Sequence, residues 1–262
     1  GARVLLVEDN DFNQQVAMEL LAMMGVAVTL AANGREALET IRERPFDAVL
    51  MDLQMPVMDG YEATQQLRAD PAFQDLPILA MTAHAMTQER ERCQALGMND
   101  YITKPIDPDE LARTLARWVR REEPVPATSP EASLDSGARG PAVPAQGGIV
   151  WEAGLACFAG KTALYEKMLR KFLELKPRAV EEIREALARG EGEKAQLMAH
   201  SMISAAGTIG ANRLFNTAKA LDQAIRSGDP EAIATRLATF EAEFAIVVAG
   251  LKLHCGITAR NT

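Results

Sequence analysis

Aromatic side chains are scarce. Eight Phe, three Tyr and two Trp make up 5% of the 262 residues, so any core has to be built from Leu, Ile, Val, Met and Ala. Cysteine is scarcer still. Cys93, Cys157 and Cys255 are far apart, odd in number and form no C-x-x-C pair. That pattern argues against a disulfide framework and a structural zinc site, and fits reduced thiols in the cytoplasm. A basic block is missing too: 28 Lys and Arg stand against 36 Asp and Glu, a formal charge of −8. Such a chain is a poor candidate for gripping a nucleic acid or an anionic lipid surface, and neither is expected as a partner. The longest apolar run, near Phe244–Leu251, falls well short of the roughly 20 residues of a membrane span. The chain opens with Gly1-Ala2-Arg3 and goes straight into a strand-like run, with no initiator Met and no signal-peptide pattern. It reads as an excised or processed cytoplasmic piece, whose parent could be membrane-anchored.

What is present suffices for well-formed cores: 48% of residues are hydrophobic and 24% charged. Composition breaks once, between Pro124 and Gly148, where 25 residues hold five Pro, four Gly and three Ser and show no apolar period. This stretch reads as a flexible linker between a domain at 1–123 and another at 149–262. Residues 1–123 carry 12 basic and 21 acidic side chains, a net of −9, whereas 149–262 carry 15 and 13, a net of +2. An acidic unit is tethered to a nearly neutral one.

The first unit alternates strand and helix. Strands are expected at 3–7, 26–31, 46–51, 77–81 and 100–102, and helices at 12–24, 34–44, 60–69, 87–96 and 108–120. Five β-then-α units in a row predict a parallel sheet with helices on both faces. In such sheets ligands bind at the carboxyl ends of the strands. There stand Glu8 and Asp9 after the first strand, Asp52 after the third, Thr82 after the fourth and Lys104 after the fifth. Clustered carboxylates repel unless a hard cation neutralises them, and Mg²⁺ suits an all-oxygen donor set. With a hydroxyl and an ammonium alongside, the edge can hold a phosphoryl group in transfer. Taken alone, Asp52 could equally cap a helix. A dehalogenase-like phosphatase would want a second Asp two residues on, and Gln54 stands there.

The segments Val7-Glu8-Asp9-Asn10, Met51-Asp52-Leu53-Gln54-Met55-Pro56-Val57-Met58-Asp59-Gly60, Met81-Thr82-Ala83 and Thr103-Lys104-Pro105 resemble a response-regulator receiver domain, most of all one fused to a hybrid sensor histidine kinase. The resemblance implies a flavodoxin-like, doubly wound, five-stranded parallel sheet. It implies that Asp52 is the phosphoacceptor, and that Asp9, Asp52 and the Gln54 carbonyl bind Mg²⁺ with help from Glu8. It further implies that Thr82 and Tyr101 form a switch pair and that the bond before Pro105 is cis. His84, two positions past Thr82, is read as shaping access to the pocket.

The second unit shows helical periodicity at 151–159, 161–175, 178–189, 192–206, 211–227 and 230–253 and has no strand-like segment, so an all-α bundle is expected. On a helical wheel of 192–206, Ala195, Met198, Ala199, Met202 and Ala206 form the apolar stripe. His200 falls roughly 140–160° from its centre, on a face expected to be exposed, with Gln196, Ser204 and Gly207 as neighbours. The segment Met198–Ala211, with Phe158-Ala159-Gly160 and Gly228-Asp229, is similar to a histidine-containing phosphotransfer (HPt) domain, a four-helix bundle whose phosphotransfer residue would be His200. Relatives usually carry Lys and Gly three and four residues after that histidine, where this chain has Ile203 and Ser204. On the wheel Ile203 lies about 60° from His200, near enough for a lysine there to reach a phosphoryl group.

The expected function is a two-component phosphorelay module. A phosphohistidine of a sensor kinase domain donates to Asp52, His200 accepts from an aspartyl phosphate, and a further receiver downstream takes the group. No ATP-binding kinase region is apparent, so ATP is not an expected substrate. The competing class is a receiver switch with an HPt-like bundle that only docks partners.

Overall fold

The structure, a computed structural model, describes residues 1–83, 87–119 and 147–256. His84, and the expected linker from Pro124 to residue 146, lie outside the described residues.

The first domain comprises β1 (Arg3–Val7), α1 (Asp11–Met23), β2 (Ala27–Ala31), α2 (Gly34–Glu43), β3 (Ala48–Asp52), α3 (Gly60–Ala69), β4 (Ile78–Thr82), α4 (Thr87–Ala95), β5 (Asp100–Thr103) and α5 (Pro108–Val119). The strands form one all-parallel sheet in the order β2-β1-β3-β4-β5. Every residue of β3 and β4 is buried, as strands covered on both faces require. The unbroken apolar runs in the sequence have this cause. Side chains of α1 and α5 cover one face of the sheet, and those of α2, α3 and α4 the other. Asp52 and Thr82 are the last residues of their strands rather than the first beyond them.

Local chemistry sets the helix starts. The Asn10 side chain accepts from the Phe12 and Asn13 amides at 3.1 and 3.0 Å, and Asp59 accepts from the Glu62 amide at 2.8 Å. Each cap satisfies donors that an α-helix leaves unpaired in its first turn. The caps fix where α1 leaves β1 and where α3 begins, so they fix the loops that carry the acidic residues. Gly60 is needed for a further reason. A Cβ there would stand 2.2 Å from the Asp52 carbonyl oxygen, so only glycine lets α3 start this close to the end of β3.

The second domain comprises α6 (Trp151–Ala156), α7 (Thr162–Leu175), α8 (Ala179–Ala188), α9 (Gly192–Thr208), α10 (Asn212–Ser227) and α11 (Pro230–His254). Helices α8 to α11 pack on one another, and α7 lies against α11. The four small residues Ala195, Ala199, Ala205 and Ala206 of α9 are fully buried, so neighbouring helices approach α9 closely. Phe240, Phe244, Val247 and Leu251 bury the stripe of α11. Gly147 and Gly148, the last residues of the expected linker, form a turn packed on Gly250 and Val247 of α11.

The two domains share a core. Helix α1 packs on α7 and α9. The Phe12 ring of α1 meets the Phe172 ring of α7 edge to face at 5.6 Å, and both are fully buried. Burying two such rings is worth about 1.5–3 kcal/mol each. Glu19 of α1 pairs with Lys167 of α7 at the edge of this contact.

Candidate functional site

The acidic edge assembles as the sequence suggested. Lys104 Nζ lies 2.6 Å from Glu8 Oε2 and 2.6 Å from Asp52 Oδ2, with all three side chains buried. Asp52 Oδ1 accepts from the Gln54 amide at 3.3 Å. Asn13 Nδ2 donates to Glu8 Oε1 at 3.0 Å, and Gln14 Nε2 to the Glu8 carbonyl at 2.7 Å, so α1 holds the end of β1 in place. Glu8, Asp9 and Asp52 each offer an oxygen, and these oxygens lie within 4.8 Å of one another. The Lys104–Pro105 bond is cis.

The charges are not in balance. Burial pushes the Glu8 carboxyl up to about 7, against the pull of Lys104 and with the push of Asp52. Burial and the Glu8 charge push Asp9 up to about 6. Lys104 is held above its ordinary value, because the attraction of Asp52 and Glu8 outweighs its burial. One ammonium among three crowded carboxylates leaves negative charge in a low-dielectric pocket, which a small divalent cation relieves. The donor set is all oxygen, and the residues present therefore fit Mg²⁺.

Thr82 stands at the same edge. Its hydroxyl donates to Glu89 Oε2 of α4 at 2.5 Å, and the Tyr61 hydroxyl donates to Glu89 Oε1 at 3.3 Å. Tyr101 is half-buried on β5, with the Arg90 guanidinium 4.3 Å from its ring centroid. Glu89 escaped the sequence reading because it stands in the first turn of α4, beyond the loop after β4, and not at a strand end.

His200 corrects an expectation. It is only 7% exposed, not on an open face. A wheel of one helix cannot show what the other helices cover. Asp222 of α10 lies with Oδ1 3.7 Å from His200 Nδ1, and α1 of the first domain packs on α9 as well. Ile203, expected beside the imidazole, is fully buried in the core, and Ser204 is 6% exposed. Asp222 is 1% exposed and ringed by donors: Gln196 Nε2 at 2.6 Å and Arg226 Nε at 3.0 Å. Burial raises its pKa, but the His200 and Gln196 contacts and the Arg226 charge outweigh burial and hold it below the ordinary carboxylate value. Sequence reasoning missed Asp222 and Arg226. Their signal was a buried-stripe acid with a base four residues on, which looks like any helical ion pair.

Residues 4–116 match the response regulator receiver domain family, and residues 167–250 match the Hpt domain family. The chain belongs to both families, receiver first and Hpt second. It is a receiver–Hpt unit of the two-component phosphorelay type. The signal transduction histidine-protein kinase BarA of Escherichia coli K12 is 32% identical over 238 residues, covering 87% of this chain and 24% of that protein. The sensor protein GacS of Pseudomonas syringae is 40% identical over 176 residues, covering 65% of this chain and 19% of its own length. The chain thus spans about a quarter or less of these relatives. Among solved structures, the receiver domain of sensor histidine kinase PA1611 of Pseudomonas aeruginosa, with a magnesium ion in its active-site cleft, is 45% identical. It covers 45% of this chain and 98% of that one, at a TM-score of 0.43.

The receiver and the Hpt domain meet close to Asp52 in chain position on one side and on the helices of His200 and Asp222 on the other. Arg226 Nη2 donates to the Gln54 side-chain oxygen at 2.9 Å, two residues past Asp52. Gly207 of α9, two turns beyond His200, faces Pro105, and a Cβ there would lie 3.1 Å from Pro105 Cδ. The loops after β3 and β5 therefore both touch the helices that carry His200 and its partner Asp222. Among the described residues, no helix is long and apolar enough to cross a membrane.

Proposed function

We propose that Asp52 accepts a phosphoryl group from the phosphohistidine of a sensor kinase domain, and that His200 exchanges it with an aspartyl phosphate and passes it to a further receiver. The observation that carries this is the pocket itself: Asp52 is held by Lys104 among three convergent carboxylates, at the strand edge that the His200-bearing domain covers. Asp9, Asp52, the Gln54 carbonyl and Glu8 would hold Mg²⁺, which would neutralise charge on the phosphoryl oxygens. Lys104 stays charged, orients Asp52 through Oδ2 and offers positive charge to the group in flight. In the first step a carboxylate oxygen of Asp52 bonds to phosphorus as the donor's bond to phosphorus breaks, and the donor keeps that electron pair. In the second, the lone pair of the His200 nitrogen opposite Nδ1 bonds to phosphorus, and the Asp52 carboxylate regains the pair of the broken P–O bond. The Nδ1 proton stays on the ring, facing the Asp222 carboxylate. The receiver domain extends over 1–123 and the Hpt domain over 149–262, joined by the linker, and the relay works in the cytoplasm, where the three cysteines stay reduced.

Incubation with Mg²⁺ and radiolabelled acetyl phosphate tests this. Acyl-phosphate label is expected on Asp52 and acid-labile label on His200. Asp52→Asn is expected to abolish both, and His200→Gln only the second. Label persisting in Asp52→Asn, or never reaching His200 in the unmodified chain, overturns the proposal.

A further inference from the structure

Arg226 touches both domains. Its Nε donates to Asp222 Oδ2 at 3.0 Å, and its Nη2 lies 2.9 Å from Gln54 Oε1 of the receiver. Asp222 in turn places Oδ1 3.7 Å from His200 Nδ1. One line of polar contacts therefore runs from the imidazole through a buried carboxylate and a guanidinium to the loop that follows Asp52. The guanidinium suits this task because its planar fork holds two partners in fixed directions. The Arg226 side chain is 45% exposed, so it is not a core residue. Opposite charges also meet between the domains away from the residues of this line of contacts: Lys176, just past α7, feels the charges of Asp11 and Asp9.

We propose that Arg226 is a positioning and specificity-determining residue of the exchange: it ties the Asp222–His200 pair to the side chain two residues past the phosphoaccepting Asp. The receiver it favours carries a hydrogen-bond acceptor or an anion at that position, and a receiver with a cation there is rejected. Specificity arises because the wrong side chain leaves the guanidinium unpaired or repelled. Arg226 acts through Asp222 and through docking, not by touching the phosphoryl group. The inference rests on the proposed Asp52-to-His200 exchange.

The test is a double-mutant cycle on the full chain, because position 54 also lies near the metal-binding carboxylates and single substitutions there mix two effects. Gln54→Glu, Gln54→Ala and Gln54→Lys are made with Arg226 and with Arg226→Ala. Asp52 is labelled with acetyl phosphate and Mg²⁺, and the appearance of phosphohistidine is followed per labelled Asp52. With Arg226 present the rate is expected to fall in the order Glu, Gln, Ala, Lys, with the Lys variant about three- to ten-fold below Gln. With Arg226→Ala that ordering is expected to collapse to within about two-fold. Arg226→Ala itself keeps Asp222 paired with Gln196 at 2.6 Å, so the helical domain is expected to stay folded by circular dichroism. An ordering at position 54 that persists unchanged in Arg226→Ala overturns the inference. Absence of phosphohistidine in the unmodified chain overturns the exchange itself, a separately readable outcome.

Discussion

Lys104 and Ile203 show how far burial decides the meaning of a residue. The lysine is buried yet charged, because Glu8 and Asp52 both lie 2.6 Å from it. Removing it leaves two carboxylates facing each other without a cation, and a buried unpaired charge is costly. Ile203 has no partner of that kind. It is fully buried, so Ile203→Lys is expected to lower stability by at least about 3 kcal/mol in urea unfolding, not to speed transfer. Unchanged stability in that variant would return Ile203 to the surface. Asp222 gives a pH signature. Its folded pKa lies below the ordinary carboxylate value, so its stabilising contribution is fully present above that ordinary value and is lost as pH falls through the lower, folded one. Thermal melts at pH 7 and pH 3 are expected to show Asp222→Asn less stable than the unmodified chain at pH 7, with the gap shrinking at pH 3. A gap independent of pH would mean that packing, not charge, is what Asp222 supplies.

At the scale of elements, the loops are as constrained as the strands. The β3–α3 connection must bring Gln54 to the outer rim and then return so that α3 starts beneath Asp52. The close approach of Gly60 to the Asp52 carbonyl allows this. Gly60→Ala is expected to push α3 off the end of β3, costing about 2 kcal/mol and weakening Mg²⁺ binding measured by calorimetry. A variant with unaltered Mg²⁺ affinity would show that the loop absorbs the methyl group. Strand and helix existence was legible because each periodicity has one cause: β3 and β4 are covered on both faces, and α11 on one stripe. The face presented by α9 was not legible. It is enclosed by α8, α10 and α1, so a wheel that assumes one buried side turned His200 and Ile203 outward. The α1 contact comes from another domain more than 170 residues away in sequence, which no local window contains.

Across the whole molecule, the composition break at Pro124–Gly148 marked a change of fold class but not a separation of cores. Phe12 and Phe172 lie on opposite sides of it and pack together. The −9 and +2 charges of the two parts, unremarkable as composition, become complementary where Glu19 meets Lys167 and where Lys176 faces Asp9 and Asp11. Gly207 of α9 lies against Pro105. Gly207→Leu is expected to separate the domains, because the side chain would run into Pro105 and Phe215 at 3.1–3.2 Å. A larger radius of gyration by small-angle scattering with unchanged helix content is the predicted reading, since leucine favours the helix over glycine by about 1 kcal/mol. An unchanged radius would mean that the α1 packing and the Arg226–Gln54 contact hold the domains together without this approach.

The amino-acid sequence by itself determined the two fold classes, the strand and helix order, and the acidic, hydroxyl and lysine residues gathered at the sheet edge. Those features are local or follow from topology: a parallel sheet brings the ends of its strands to one edge whatever the side chains elsewhere. Only the tertiary structure decided that His200 is sheltered, that Asp222 and Arg226 stand beside it, and that Arg226 reaches Gln54. Each depends on how two surfaces pack, and packing is set by shape and charge complementarity between segments that the sequence keeps far apart.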